Sequence, residues 1–155
     1  MKWITREKAK VDRIACPWLL KKFVDKDAEF LFVPTDKVNE IAKSQNAIPF
    51  DAAGIELTHY KEDGKDRVSF DAIIKKYNLR DPALLELAKI VRGADTKLPD
   101  PEPESAGLEA AAMGFRELAK DDFDNIRLQW PTYDALYKYC QLKVEKGAKL
   151  EHAAR

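Results

Sequence analysis

Residues 2–34, KWITREKAKVDRIACPWLLKKFVDKDAEFLFVP, decide the fold class of this chain, because they place a helix between two short strands. KWIT (2–5) is β-prone, and EFLFVP (29–34) has the aromatic and branched side chains typical of a strand. Between them, apolar side chains recur mostly at helical spacing: Ile14, Trp18, Leu19 and Phe23. The pattern therefore predicts a fold that mixes helices with a sheet.

Pro17 determines where we expect this first helix to begin. Proline fits the first turn of a helix, because the N–H groups there have no helical partners. We therefore expect the main helix to start near Cys16 or Pro17, after a looser turn from Asp12.

The next segments alternate helix and strand patterns. TDKVNEIAKSQ (35–45) predicts a helix, and IPFDAAGIELTHY (48–60) predicts a short extended piece, a turn at Gly54 and a strand. KEDGKDR (61–67) is typical of a hairpin turn.

Serine, proline and glycine residues indicate where the later helices begin and end. Ser69 can cap a helix, and Asp81-Pro82 is a strong start, because Asp suits the N-cap and Pro the first helical position. Gly93 predicts a helix end. LPDPEPES (98–105) has proline at every second position from 99 to 103 and predicts an extended, non-helical link.

Only helices are expected after this link. The pattern predicts one helix over 105–119, a second that Pro131 breaks or kinks, and a last helix before a flexible tail at 146–155. The complete pattern predicts an α+β fold, with a small sheet of three or four strands, six or seven helices and an all-helical C-terminal part. We expect residues 1–145 to form a single domain.

Composition argues against several classes of protein. The chain has 155 residues, with 27 Lys and Arg against 27 Asp and Glu, and this balance argues against a general nucleic-acid binder. No apolar run approaches the ~20 residues of a membrane span, and we expect no signal peptide. The two cysteines form no CxxC pair, so we expect a reduced, cytoplasmic protein.

The first group of candidate functional residues lies at a locally basic end of the chain. Residues 1–30 hold eight bases against five acids, and Arg6, Asp12, Arg13 and Cys16 come at or before the expected helix start. A helix N-terminus favours anions, and arginine can bind an oxyanion through two N–H groups. A thiol placed there would have a lowered pKa. The alternative is a small, buried, structural cysteine.

His59 is the centre of the second group. The only other histidine, His152, lies in the expected tail. On a strand, Glu56 and His59 would point to opposite faces, while Asp51 lies across the Gly54 turn and could reach either of them. One imidazole with two carboxylates could hold a divalent ion such as Mn, Fe or Zn, or carry out acid–base chemistry. A hydrogen-bonded structural histidine is the alternative.

Arg92 and Asp95 form the third group. Arg92 would lie at a helix C-terminus, where its charge suits the helix dipole, and Asp95 would open the following loop. The alternative to a functional role is a helix cap followed by a surface turn.

Six strings of this chain occur in a characteristic order: WITREKAKVDRIACPWLLKKF, AEFLFVP, PFDAAGIELTH, SFDAIIKKY, DPALLELAKIVRGADT and YDALYKYC. Over roughly residues 2–140 they resemble the chromate resistance protein family, specifically the C-terminal domain of ChrB-type proteins. DRIACPWL and IVRGADT are the most specific of them. The resemblance implies a role in chromate resistance and stress response. Longer members carry an extra N-terminal region and are described as chromate-sensitive regulators, and DNA binding is not carried over to this chain.

The resemblance also marks positions that belong to the family pattern: Arg6, Asp12, Arg13, Cys16, Trp18, Asp51, His59, Arg92 and Asp95. A cysteine often stands in this family where Val68 stands here, which argues against two-thiol chemistry. We expect one polar cleft whose ligand-binding residues are Arg6, Asp12, Arg13, Cys16, His59, Arg92 and Asp95. If a metal binds, we expect Asp51 and His59 to be ligands, with Asp95 or Glu56 as a further candidate.

These residues leave three functions open. The first is a module that binds a small oxyanion, such as chromate, in the polar cleft. The second is an enzyme, either metal-dependent through Asp51, His59 and Asp95 or redox-active through Cys16. The third is a domain that only binds a partner protein. We expect a small anionic ligand, neither nucleic acid nor membrane as a partner, and the sequence leaves a homo-oligomer open.

Overall fold

The fold combines a three-stranded sheet, a hairpin and a helical C-terminal part. The computed structural model describes residues 1–154, with side chains as far as residue 149. Its elements, in chain order, are β1 (Lys2–Arg6), α1 (Asp12–Leu19), β2 (Glu29–Val33), α2 (Val38–Gln45), β3 (Ile48–Pro49), β4 (Tyr60–Glu62), β5 (Lys65–Arg67), α3 (Ser69–Lys76), α4 (Pro82–Asp95), α5 (Pro103–Leu118) and α6 (Asp122–Ala154).

The main sheet is parallel, with β1 between β2 and β3. In register, Trp3 pairs with Phe30 and Ile4 with both Leu31 and Pro49. Parallel neighbours need crossover connections, and α1 and α2 supply them. β4 and β5 form a separate antiparallel hairpin. The described residues therefore confirm the predicted α+β class, including a small sheet, a hairpin at 61–67 and an all-helical C-terminal part.

The C-terminal helices pack on the sheet-bearing part through a shared aromatic core. Trp18 on α1 is fully buried, and its indole N–H donates to Asp134 Oδ1 of α6 at 2.9 Å. Tyr133 is also buried, with its ring 6.2 Å from that of Trp18. Trp130 donates its indole N–H to the Ile14 carbonyl at 3.3 Å. These contacts place α6 across α1.

The first helix starts earlier than its proline indicates. α1 begins at Asp12 rather than near Cys16 or Pro17, and the N–H groups of Ile14 and Ala15 donate to the Val11 carbonyl. The N–H of Asp12 donates to Asp95 Oδ1 of α4 at 3.1 Å, so a distant side chain caps the helix. Pro17 lies inside α1, and a π-helical turn, Leu20–Val24, follows.

Gly93 does not end α4, which continues to Asp95. Its small size serves packing instead. A Cβ at Gly93 would lie 2.9 Å from Ser105 Cβ and closer still to Ser105 Oγ, so only glycine allows α5 to approach here. Ser105 uses its hydroxyl to donate to the Ile90 carbonyl at 2.8 Å.

Other predicted boundaries also shift. Ser69 is the first residue of α3 rather than its cap, which is Val68. The strand expected between the Gly54 turn and residue 60 is wrong for residues 55–59, which form no strand, and only Tyr60 belongs to β4. Pro103 begins α5, so the proline-rich link is shorter than expected. Asp81 caps α4 as predicted, accepting from the N–H groups of Ala83 and Leu84.

Pro131 does not divide the last helix. It lies inside α6, which continues from Asp122 to Ala154. Residues 146–154 extend this helix, while the flexibility expected for 146–155 stays a prediction and Arg155 lies outside the described residues. No helix in the described part of the chain is both long and apolar enough to cross a membrane.

Candidate functional site

Three carboxylates surround the imidazole of His59. Its Nε2 lies 3.1 Å from Asp95 Oδ2, 3.4 Å from Asp12 Oδ2 and 3.4 Å from Asp51 Oδ1. Asp12 begins α1, Asp51 follows β3, His59 precedes β4 and Asp95 ends α4. The fold thus brings together residues from all three groups that the sequence indicated.

Asp12 is buried, and the backbone of α3 holds its carboxylate. Its Oδ2 accepts from the N–H of Ser69 at 2.8 Å, and its Oδ1 accepts from the N–H of Phe70 at 3.1 Å. Both donors lie in the first turn of α3, where N–H groups have no helical partner and favour a negative charge. The carboxylate therefore has a fixed position beside His59.

Asp51 is held by cationic and hydroxyl donors. Arg6 and Arg13 each place a guanidinium nitrogen 3.3 Å from Asp51 Oδ2, and the Ser69 hydroxyl donates to Oδ1 at 2.7 Å. Asp51 has a φ of 48°, a left-handed conformation that aspartate tolerates better than most residues. Arg6 and Arg13 are consequently ion-paired to this carboxylate.

Electrostatics in the cluster favour positive charge at its centre. The carboxylates of Asp12, Asp51 and Asp95 raise the pKa of His59 to about 12. Burial, and then the negative charge of Asp95, raise the pKa of Asp12 to about 7. Burial opposes ionisation of Asp51, but hydrogen bonds from His59 and Ser69 and the nearby arginines lower its pKa to about 2. The cluster therefore attracts a cation.

A metal ion could take the place of the imidazole proton. One ligand atom from each of Asp12, His59 and Asp95 lies within 4.8 Å of the other two. Oxygen ligands with one imidazole suit Mn, Fe or Zn. His59 is 44% exposed, so one side of this ligand set faces solvent.

The ligand set differs in part from the one the sequence indicated. Asp95 belongs to it, but Asp12 takes the place expected for Asp51, whose oxygens already accept from Ser69 and two arginines. Glu56 lies on the surface and pairs with Lys76 at 2.9 Å.

Arg92 contacts the carboxylate of Asp71, which is not among the candidate residues indicated by the sequence. Its Nε and a terminal nitrogen donate to the two oxygens of Asp71 at 2.9 and 2.7 Å. Asp71 also accepts from the N–H of Val68 at 3.0 Å. Asp71 is the third residue of α3, a position typical of a side chain that accepts from the N-cap N–H of its own helix. This position indicates the contact with Val68 but not the pair with Arg92.

Cys16 lies inside α1 and is fully buried, not at a helix start. Its thiol donates to Asp12 Oδ1 at 3.3 Å. Burial, and then the negative charge of Asp12, raise the pKa of this thiol well above its usual range. The geometry therefore favours the inert, structural cysteine over the activated thiol.

The comparisons with known proteins agree with the resemblance noted above. The chain matches the protein family described as "ChrB, C-terminal domain" over residues 3–140, which include every candidate site residue. It is 34% identical over 121 residues to Protein ChrB of Cupriavidus metallidurans. The matched region covers 77% of this chain and 35% of that protein, so the chain spans about a third of the length of the curated relative. No solved structure matches.

Proposed function

Because the chain belongs to the family of ChrB C-terminal domains, we propose that it is the metal-binding domain of a chromate-resistance protein. One divalent cation is held by Asp12, His59 and Asp95. The observation that supports this most directly is the meeting of their three ligand atoms within 4.8 Å. Two of these side chains are positioned before any ion arrives, because Asp12 accepts two backbone N–H groups and Asp95 accepts the N–H of Asp12.

Metal analysis after incubation with MnCl₂ and dialysis tests this proposal. We expect about one Mn²⁺ per chain. His59→Gln and Asp95→Asn should each weaken Mn²⁺ binding by more than about 100-fold. Loss of a residue that only hydrogen-bonds to a metal ligand already weakens metal binding by about 10–100-fold, and loss of a ligand itself should weaken it further. Asp36→Asn, which removes an exposed carboxylate outside the cluster, is the matched control and should leave binding unchanged.

Circular dichroism would confirm that the variants are folded. A wild-type chain that retains no Mn²⁺, Fe²⁺ or Zn²⁺ would refute the proposal, and so would a His59→Gln chain with full metal content. Asp12 is not used in this test, because its loss would also disturb α3.

An oxyanion, in this proposal, binds at the open side of the metal rather than directly to arginines. Direct binding by Arg6, Arg13 and Arg92 has less support, because each of them is ion-paired with a buried aspartate. His59 and Arg67 both line a cavity of about 290 Å³.

Thermal unfolding separates the two ways of binding an oxyanion. We expect chromate, and sulfate as its redox-inert analogue, to raise the melting temperature of the Mn²⁺-loaded chain but not of the metal-free chain. Equal stabilisation of both forms would instead favour direct binding by the arginines.

A further inference from the structure

A second cavity lies beside the opening of the metal site. It has a volume of about 330 Å³ and is bounded by the β4–β5 hairpin, α3 and α4. Tyr60 and Arg67 line both this groove and the cavity that contains His59. A molecule in the groove would therefore lie next to the candidate metal site.

Positive charge dominates the groove. Its lining contains four cationic side chains and a single carboxylate, Asp71. Two of the cations are already paired, Arg92 with Asp71 and Lys89 with Glu86 at 2.9 Å. Arg67 donates to the carbonyl of Asp66, and Lys75 lies over the Tyr60 ring at 5.2 Å. Neither Arg67 nor Lys75 has a carboxylate within 4 Å among the described residues, so both can bind an anion.

The floor of the groove is apolar. Leu85 and Ala88 are three residues apart on one face of α4, and they line the groove together with Ile74 of α3. Leu85 is 42% exposed. A bare inorganic oxyanion would leave this apolar surface in contact with water, whereas an organic molecule would cover it.

We propose that this groove binds a small organic anion, with its acid group on Arg67 and Lys75 and its apolar body on Ile74 and Leu85. The ligand class is that of carboxylates, phosphate esters and sulfonates with a short apolar part. The statement that this anion reaches the metal rests on the proposed function, whereas its binding in the groove does not.

Titration calorimetry on the metal-free chain, with phenyl phosphate as the probe, tests binding in the groove. Inorganic phosphate has the acid group but no apolar part, and phenol has the apolar ring but no acid group. We expect phenyl phosphate to bind at least about tenfold more tightly than either, because the charged contacts and the apolar contact add.

Three variants test the residues that line the groove. Arg67→Gln, Lys75→Gln and Leu85→Ser should each weaken phenyl phosphate binding about three- to tenfold. Lys43→Gln removes an exposed lysine of α2, outside the groove, and should leave binding unchanged. Binding that is as tight for inorganic phosphate, or unchanged in all three groove variants, would overturn the proposal.

A relaxation measurement tests the link to the metal separately. Mn²⁺ bound at the cluster should broaden the ³¹P resonance of phenyl phosphate, and His59→Gln should abolish the broadening while calorimetric binding persists. Sharp resonances on a Mn²⁺-loaded chain would refute adjacency to the metal. If no Mn²⁺ binds, the proposed function fails, and calorimetry on the metal-free chain still decides whether the groove binds an anion.

Discussion

At the residue scale, Asp12 joins the starts of two helices and faces the centre of the site. We predict that Asp12→Asn lowers the free energy of unfolding of the metal-free chain by about 1–3 kcal/mol. An amide has one acceptor oxygen, so the N–H of either Ser69 or Phe70 would face an NH₂ group. Urea denaturation measures the change, with Asp36→Asn as the control. Equal stability of the two variants would contradict the prediction.

His59 should make stability depend on pH. Its pKa is about 12 in the folded chain and about 6.5 when unperturbed. Its contribution to stability is therefore fully present below pH 6.5 and is lost as the pH rises from 6.5 towards 12. We predict that the melting temperature of the metal-free chain falls between pH 7 and 9. His59→Gln should flatten this fall, and an equally steep fall in that variant would refute the prediction.

The upper part of this range, above about pH 8, isolates the imidazole from its acidic neighbours. Burial and Asp95 raise the pKa of Asp12 to about 7, so its contribution to stability is lost as the pH rises from 3.8 through 7. Asp51, with a pKa of about 2, loses its contribution only as the pH falls from 3.8 to 2. Both changes are nearly complete below about pH 8.

Much of the candidate site could be predicted from the sequence, although its pairings could not. The sequence indicates Asp12, His59 and Asp95, because polar residues at the ends of elements often build sites. It also indicates Arg92, but not that Asp71 is its partner. Which carboxylate an arginine contacts depends on how α3 packs on α4, and no local spacing encodes that packing.

At the element scale, the contact between α4 and α5 depends on Gly93. We predict that Gly93→Ala lowers the free energy of unfolding by about 1–3 kcal/mol, because the added methyl group would overlap Ser105. Gly114→Ala on α5 is the matched control, since a Cβ there meets no atom within 4 Å. The control should be neutral or more stable by up to about 1 kcal/mol. Similar effects of both substitutions would contradict the packing role of Gly93.

The pair Arg92–Asp71 joins α4 to α3. We predict that Arg92→Gln costs about 1.5–3 kcal/mol of stability, because it leaves the buried Asp71 without its charged partner. Arg127→Gln breaks an exposed pair with Asp124 within α6 and should cost at most about 0.5 kcal/mol. Chemical denaturation compares the two, and equal costs would show that burial does not matter here.

Local patterns predicted the elements better than their ends. The strand–helix–strand start and the Asp81-Pro82 cap depend on neighbouring residues, and both are confirmed. The sequence predicts a helix end at Gly93 and a break or kink at Pro131, but Gly93 lies inside α4 and α6 continues through Pro131. Tertiary packing decides these two positions, since Ser105 requires glycine at 93 and α6 packs across α1 on both sides of Pro131.

At the scale of the whole molecule, the formal net charge is zero, but negative and positive side chains are concentrated in two neighbouring regions. Three carboxylates meet at His59, while four cationic side chains line the adjoining groove. Tyr60 and Arg67 line both the groove and the cavity that contains His59. The carboxylate cluster, which attracts a cation, therefore lies next to the groove, which attracts an anion. This arrangement suits a domain that holds a metal ion and an anionic ligand side by side.

The wide spacing of Asp12, His59 and Asp95 along the chain has a consequence for folding kinetics. These residues are 47 and 36 positions apart, so the site is complete only when α1, the hairpin and α4 have all assembled. We expect the three ligands to meet only after the rate-limiting barrier, because the entropy cost of closing such long loops must be overcome first. Interactions that are absent from the transition state act mainly on the unfolding rate. In stopped-flow experiments, Mn²⁺ should therefore slow unfolding and leave the refolding rate nearly unchanged. Bound metal would then prolong the lifetime of the native state, and faster refolding with Mn²⁺ would instead show that the site assembles early.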